Sequence, residues 1–270
     1  MQAYQTLDVQ YRDAIAHVRL NRPEKRNAMN QRLWDELDAV FLALEDDDTV
    51  RAVVLGAHGE HFSAGLDLNM LMELAATLGS DPGRNARLLR RQIVRLQAVF
   101  SRVAKCPKPV LAAVSGYCLG AGVDLIAACD LRYCSASAEF CIKEIDMGMA
   151  ADVGTLQRLP GIVGEGRLRE WAYTGCRVEA PEALAAGLVN RVYESDAALQ
   201  AGVLAIATAI AAKSPLAVQG SKRMIDYMRD HRVDDGLDYV ATWNAAMLQA
   251  PDLKQAMAAT VSRQSAVFDD

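Results

Sequence analysis

The sequence has no Cys-x-x-Cys pair, although it contains six cysteines: Cys106, Cys118, Cys129, Cys134, Cys141 and Cys176. Most of them sit among apolar or small residues, as in Ala127-Ala128-Cys129, and are read as reduced core thiols. A chain of 270 residues buries most of the surface that it exposes unfolded, so no disulfide framework is needed. The four histidines, His17, His58, His61 and His231, stand in no metal-ligand spacing, and no metal is expected. A basic excess is also missing. The formal net charge of −5 argues against a general nucleic-acid binder but leaves room for a local basic patch facing an anionic small ligand. No stretch reaches the length of a membrane span. Met1 to Asp13 lacks the basic-then-apolar pattern of a signal peptide, and the terminal Val-Phe-Asp-Asp is no readable address. The expected compartment is therefore the cytoplasm, with neither a membrane nor a nucleic acid as partner.

Three catalytic frames are absent too. Gly120-Ala121-Gly122 is not followed by Lys-Ser or Lys-Thr, which excludes a P-loop, and its glycine spacing fails the dinucleotide fingerprint. Ser63 and Ser115 lack the Gly-x-Ser-x-Gly frame of a serine hydrolase.

What is present is an alternation of strand and helix patterns, which argues for an α/β fold. Tyr11 to Leu20 alternates around Ile15, Val18 and Leu20 and reads as strand until Asn21-Arg22-Pro23 breaks it. Asn30 is placed to cap a helix from Gln31 to Glu45, with Leu33, Leu37, Val40 and Leu44 on one face. Apolar strands are expected over Arg51 to Gly56, Val110 to Ser115 and Leu131 to Cys134, and a long Arg-rich helix ends near Lys105. Its stripe of Arg84, Arg87, Arg91 and Arg95 reads as a solvated face or a subunit contact, or else as a surface for anionic partners. After about Pro181 the pattern is mainly helical, with a helix start at Ser214-Pro215. A soft boundary is placed near 205, dividing a core (1–204) from a helical lid or assembly region (205–270).

Two segments, Ser63 to Asp67 and Gly120 to Gly122, pass from a strand through small residues into a helix. Backbone N–H groups at a helix start have no intrahelical partner and carry partial positive charge. Two such groups converging on one point form an oxyanion hole, although either turn also serves plain strand–helix packing. Three acids lie downstream among apolar and small residues: Asp124, Glu144 and Asp152. Each has a bland alternative. Asp124 reads equally as a helix N-terminal acid, Glu144 as a surface partner of Lys143, and Asp152 as a helix N-cap. Together, in a low-dielectric pocket, they suit proton transfer near neutral pH.

The motifs Asn21-Arg22-Pro23-Glu24-Lys25-Arg26-Asn27-Ala28-Met29, Phe62-Ser63-Ala64-Gly65-Leu66-Asp67, Pro107-Lys108-Pro109 and Gly120-Ala121-Gly122-Val123-Asp124 resemble the crotonase, or enoyl-CoA hydratase/isomerase, superfamily. The resemblance runs from about Leu7 to Thr260. Within the family, Lys143-Glu144-Ile145-Asp146 and Ala150-Ala151-Asp152-Val153-Gly154-Thr155 are most similar to the Δ3,5-Δ2,4-dienoyl-CoA isomerases. The third acid, Asp152, separates that branch from enoyl-CoA hydratases. The resemblance implies a ββα spiral core with a helical C-terminal region, a homotrimer or dimer of trimers, and an acyl-CoA substrate in β-oxidation. No separate cofactor is implied, since coenzyme A arrives with the substrate. It assigns the oxyanion donors to the Leu66 and Ala121 N–H groups, and CoA contacts to Lys25, Arg26, Ala28, Ala64 and Asp67. Lys222 and Arg223 are weaker CoA candidates. Glu144 is the expected base at C2, Asp152 the acid at C6 and Asp124 a tuning group. Competing expectations are an enoyl-CoA hydratase, a Δ3-Δ2-enoyl-CoA isomerase, or a non-catalytic or RNA-binding protein of the same fold.

Overall fold

A computed structural model describes residues 4–269. The first three residues of the Met1 to Asp13 stretch, and the final Asp270, lie outside the described residues. The chain runs in the order β1 (Leu7–Arg12), β2 (Ile15–Leu20), α1 (Gln31–Asp46), β3 (Ala52–Ala57), α2 (Leu68–Ala76), α3 (Pro82–Lys105), β4 (Val110–Val114), β5 (Tyr117–Leu119) and α4 (Ala121–Ala127). There follow β6 (Leu131–Ser135), β7 (Glu139–Cys141), α5 (Thr155–Arg158), α6 (Pro160–Val163), α7 (Glu165–Thr174), β8 (Val178–Glu179), α8 (Ala180–Ala185) and β9 (Arg191–Tyr193). Four helices close the chain: α9 (Asp196–Ala211), α10 (Pro215–Tyr227), α11 (Val233–Met247) and α12 (Pro251–Ser262).

The main sheet has strand order β1-β2-β3-β4-β6-β9, and a smaller sheet has order β5-β7-β8. β1 and β2 pair antiparallel, and the rest of the main sheet is parallel. β4 continues into β5, and β6 into β7, so the chain twice steps from the large sheet to the small one before turning into helix. Parallel strands buried on both faces need apolar residues at every position, and β3 and β4 satisfy this. Val53 and Leu55 face the larger core with α1 and α3, whereas Ala52 and Val54 face a second cluster with Leu199, Val203 and Ala207 of α9. The expected stripe on α1 is buried, joined by Trp34 and Phe41, and the Trp34 ring lies 4.4 Å from that of Phe100 on α3. Asn30 caps α1 by accepting from the Leu33 N–H at 3.0 Å, a contact that contributes about 1 kcal/mol. All six cysteines are free, five of them buried.

Residue 205 falls inside α9, which packs on the main sheet. α11 and α12 contribute no buried residue in the single chain, and Ile225, Leu237 and Met257 are exposed. Among the described residues, no single helix is long and apolar enough to cross a membrane.

Candidate active site

The first turn is built by the segment after β2. Arg26 and Asn27 both adopt positive φ, 50° and 54°. This directs the buried Asn27 amide to donate to the carbonyls of His58 (2.9 Å) and His61 (2.8 Å), while its oxygen accepts from the Arg22 N–H at 2.8 Å. The Ser63 hydroxyl donates to the Asn27 carbonyl at 2.9 Å, and the Ala64 N–H to Arg26 at 2.9 Å. Met29 N–H then donates to Gly65 O (2.7 Å) and Asp67 N–H to Met29 O (3.1 Å). These flanking bonds leave the Leu66 N–H turned away from them. Gly65, at φ 91°, is required here, because a Cβ would stand 2.9 Å from the Leu119 carbonyl.

The second turn follows β5. Gly120 has φ 49°, donates its N–H to Cys141 O at 2.9 Å, and starts α4. Among the described residues, neither the Leu66 nor the Ala121 N–H meets an acceptor. Both residues line one cleft of about 460 Å³. The two turns are locked together by the Ser63–Cys118 bridge and by Gly122, where a Cβ would stand 3.2 Å from that of Ser63. Ala121 keeps its N–H as the first residue of α4, so its methyl does not remove the donor.

The acids occupy three depths. Asp124 is fully buried on α4. One of its carboxyl oxygens accepts from the Thr155 N–H at 2.6 Å, and the other has no protein partner. Burial pushes its pKa up to about 6, opposed by the Thr155 bonds and assisted by the charge of Asp152. It is an acid in the first turn of its own helix, as one reading of the sequence has it, and it also tethers the start of α5. Glu144 lies in a 3-10 turn, Lys143–Met147, on the cleft wall. One Glu144 oxygen would stand 3.1 Å from a Cβ at Gly120, so the carboxylate rests against the oxyanion turn. Lys143 pairs with Asp146 at 2.5 Å rather than with Glu144. Glu144 is pushed up to about 7 by burial first, then by the charges of Asp124 and Asp152. Asp152 is exposed as a residue, yet partial desolvation raises its pKa, and its charge acts on both other acids. It does not cap α5: Gly154 takes the N-cap position, with no side-chain bond. Neither Asp124 nor Asp152 lines the cleft proper; Glu144 does.

The candidate CoA contacts divide. Lys25, Ala28, Ala64 and Asp67 line the cleft, whereas Arg26 is exposed outside it. The left-handed backbone at Arg26 offers its carbonyl to Ala64 and turns the residue away from the wall. Asp67 also caps α2 and pairs with Arg22 at 3.0 Å, which fixes the cleft rim. Lys222 is committed to Asp130 at 2.7 Å, and Arg223 lies over the rings of Tyr239 and Trp243. Met147 and Met149 line the cleft together with Leu68 and Leu71. In the sequence they stand only as Met147-Gly148-Met149, and the positive φ of Gly148, 72°, appears only in the structure.

The enoyl-CoA hydratase/isomerase family matches residues 10–270, nearly the whole chain. The chain belongs to that family. The mitochondrial Δ3,5-Δ2,4-dienoyl-CoA isomerase of Mus musculus is 48% identical over 252 residues, covering 93% of this chain and 77% of the relative. The peroxisomal dienoyl-CoA isomerase of Arabidopsis thaliana is 42% identical, covering 99% of this chain and 98% of its own length. The short-chain-enoyl-CoA hydratase of Clostridium acetobutylicum is 33% identical over 93% of this chain and 92% of its own length. Among solved structures, the enoyl-CoA hydratase of Bacillus anthracis superposes with TM-score 0.89 at 28% identity, covering 98% of this chain and 99% of that one. The α/β architecture is thus that of the family, and it is crotonase-like. The compartments that the isomerase names carry are the mitochondrion and the peroxisome, not the cytoplasm.

Proposed function

We propose that this enoyl-CoA hydratase/isomerase family member converts a 3,5-dienoyl-CoA to the 2,4-dienoyl-CoA in fatty-acid β-oxidation. The single observation that carries the reading is the third acid: Asp152 stands on the segment leading into α5, whose Thr155 N–H is held by Asp124 at 2.6 Å, and its charge bears on both Asp124 and Glu144. A hydratase needs a base and an acid around one water. A 1,5 proton shift needs proton-handling groups at two separated carbons, and a tuning group suits it. The two relatives above that are named dienoyl-CoA isomerase, at 48% and 42% identity, support the same choice.

In this reading the thioester oxygen sits between the Leu66 and Ala121 N–H groups. Glu144 takes a proton from C2, and the electron pair spreads over an extended enolate ending at C6. A proton delivered through Asp152 reaches C6, leaving double bonds at C2 and C4. One proton leaves and one enters, so no electron acceptor is required and CoA needs to arrive only as part of the substrate. Loss of one oxyanion donor typically costs about 2.7–4 kcal/mol of barrier. Asp124, buried beside them, keeps Glu144 basic by its charge.

Replacing Asp152 by Asn tests the reading. The variant is expected to lose at least about a hundredfold in isomerisation, within the usual contribution of a positioned acid. Wild-type rates in that variant exclude the proposal. The second reading, hydration of a 2-enoyl-CoA, is favoured by the Clostridium relative's name and is measured in parallel with the wild-type chain.

A homotrimer or dimer of trimers fits the apolar residues that α10 to α12 leave exposed, since patches of that kind mark contact surfaces. The arginine stripe on α3 is partly neutralised, Arg84 by Asp81 and Arg95 by Asp35, which favours a solvated face or subunit contact over nucleic acid.

A further inference from the structure

The segment between Ala151 and α5 has no secondary structure of its own, yet it is held at successive residues. The Gln97 side-chain amide, on α3, donates to the Asp152 carbonyl at 2.6 Å. The Arg158 guanidinium, on α5, folds back to donate to the Val153 carbonyl at 3.2 Å, and its other nitrogen donates to the Ser101 hydroxyl of α3 at 3.3 Å. Gly154 has φ 139°, and a Cβ there would fall 1.6 Å from the same guanidinium, so Arg158 lies directly on the glycine. The Thr155 N–H is taken by Asp124. The backbone on which Asp152 is mounted is therefore clamped between α3, α5 and α4, while its carboxyl is left without a side-chain partner among the described residues.

We propose that Gln97 and Arg158 are positioning residues that hold Asp152 over the far end of the acyl diene. The inference rests on the isomerase reading above and deepens it. The bonds that Gln97 and Arg158 make go to main-chain carbonyls and to the Ser101 hydroxyl. Both act on main-chain carbonyls at Asp152 and the residue after it, and release of either lets the acid drift relative to Glu144.

The reaction offers a readout that separates positioning from general damage. Proton removal at C2 depends on Glu144 and the oxyanion donors; delivery at C6 depends on Asp152. With Asp152 misplaced, the enolate returns to C2 more often than it proceeds. The experiment incubates a 3,5-dienoyl-CoA with enzyme in D2O, measuring deuterium at C2 of recovered substrate by mass spectrometry and conjugated product by absorbance. In Gln97→Ala and Arg158→Met, the ratio of C2 exchange to isomerisation is expected to rise about tenfold, since a displacement near 1 Å can cost up to about a hundredfold. Arg158→Lys is expected to recover part of the loss, because an ammonium still reaches one carbonyl but cannot also bridge to Ser101. An unchanged ratio in Gln97→Ala and Arg158→Met overturns the inference, as does an equal fall in exchange and isomerisation. Should Arg158→Met not fold, Gln97→Ala decides alone, because Gln97 is a half-exposed residue of a long helix. Failure of the unsubstituted enzyme to isomerise overturns the isomerase reading itself, and is told apart by appearing without any substitution.

Discussion

The buried Asp124 makes a prediction whose size follows from its surroundings. Its pKa rises from an ordinary 3.8 to about 6, chiefly because burial penalises the charged form. Below pH 3.8 the carboxyl is protonated both folded and unfolded, and the shift has no effect on stability. Between the two values the folded chain keeps a proton that the unfolded chain has released, so stability falls as pH rises. Above about pH 6 the full penalty applies, on the order of 3 kcal/mol at about 1.4 kcal/mol per pH unit. Asp124→Asn is uncharged and still offers an oxygen to the Thr155 N–H, which Asp124 holds at 2.6 Å. Relative to wild type, the variant is therefore expected to gain about 2 kcal/mol between pH 4.5 and pH 8, since about 1.5 of those units lie in the sensitive window. Urea unfolding of both chains at the two pH values measures this. The same variant removes a charge that raises Glu144, so the rise of kcat/KM with pH, expected near 7, should move to lower pH. An identical stability difference at both pH values, or a pH profile that does not move, refutes the claim that Asp124 is held buried with a raised pKa beside Glu144.

Two further substitutions probe the frame. Gly120→Ala places a methyl at φ 49° and 3.1 Å from the Glu144 carboxylate. It should lower kcat about ten- to a hundredfold, as expected of sub-ångström misplacement, and steady-state kinetics on a 3,5-dienoyl-CoA will show it. Lys222→Met strands Asp130, whose side chain retains 21% exposure and a bond from the Val110 N–H, so the loss should fall somewhat below that of a fully buried pair, about 2–3 kcal/mol by urea unfolding.

Much of the architecture was legible because it depends on short-range chemistry. The α1 stripe, the Asn30 cap and the Ser214 cap, which accepts from the Ala217 N–H at 3.2 Å, each need only residues within one or two helical turns. The apolar strands were visible because both faces of a parallel sheet are covered. The limits of that legibility are equally physical. The Asp124 partner lies 31 residues away, and the Asp152 carbonyl partner 55 residues away. No periodicity carries such pairings. Lys143 has two acidic neighbours within three residues, and only the 3-10 geometry chooses Asp146. Arg26 shares the motif of Lys25 but leaves the cleft because its backbone turns left-handed.

By itself, then, the order of residues determined which groups were available: two small-residue turns with spare N–H groups, and three acids in apolar company. Tertiary packing decided what those groups are. Burial lifted Asp124 and Glu144 toward neutrality, the Gly65 and Gly120 turns brought two amides to one cleft, and α3 and α5 clamped the backbone under Asp152. The reason is that composition is local, whereas desolvation and charge–charge repulsion depend on distances that exist only once the chain has closed on itself.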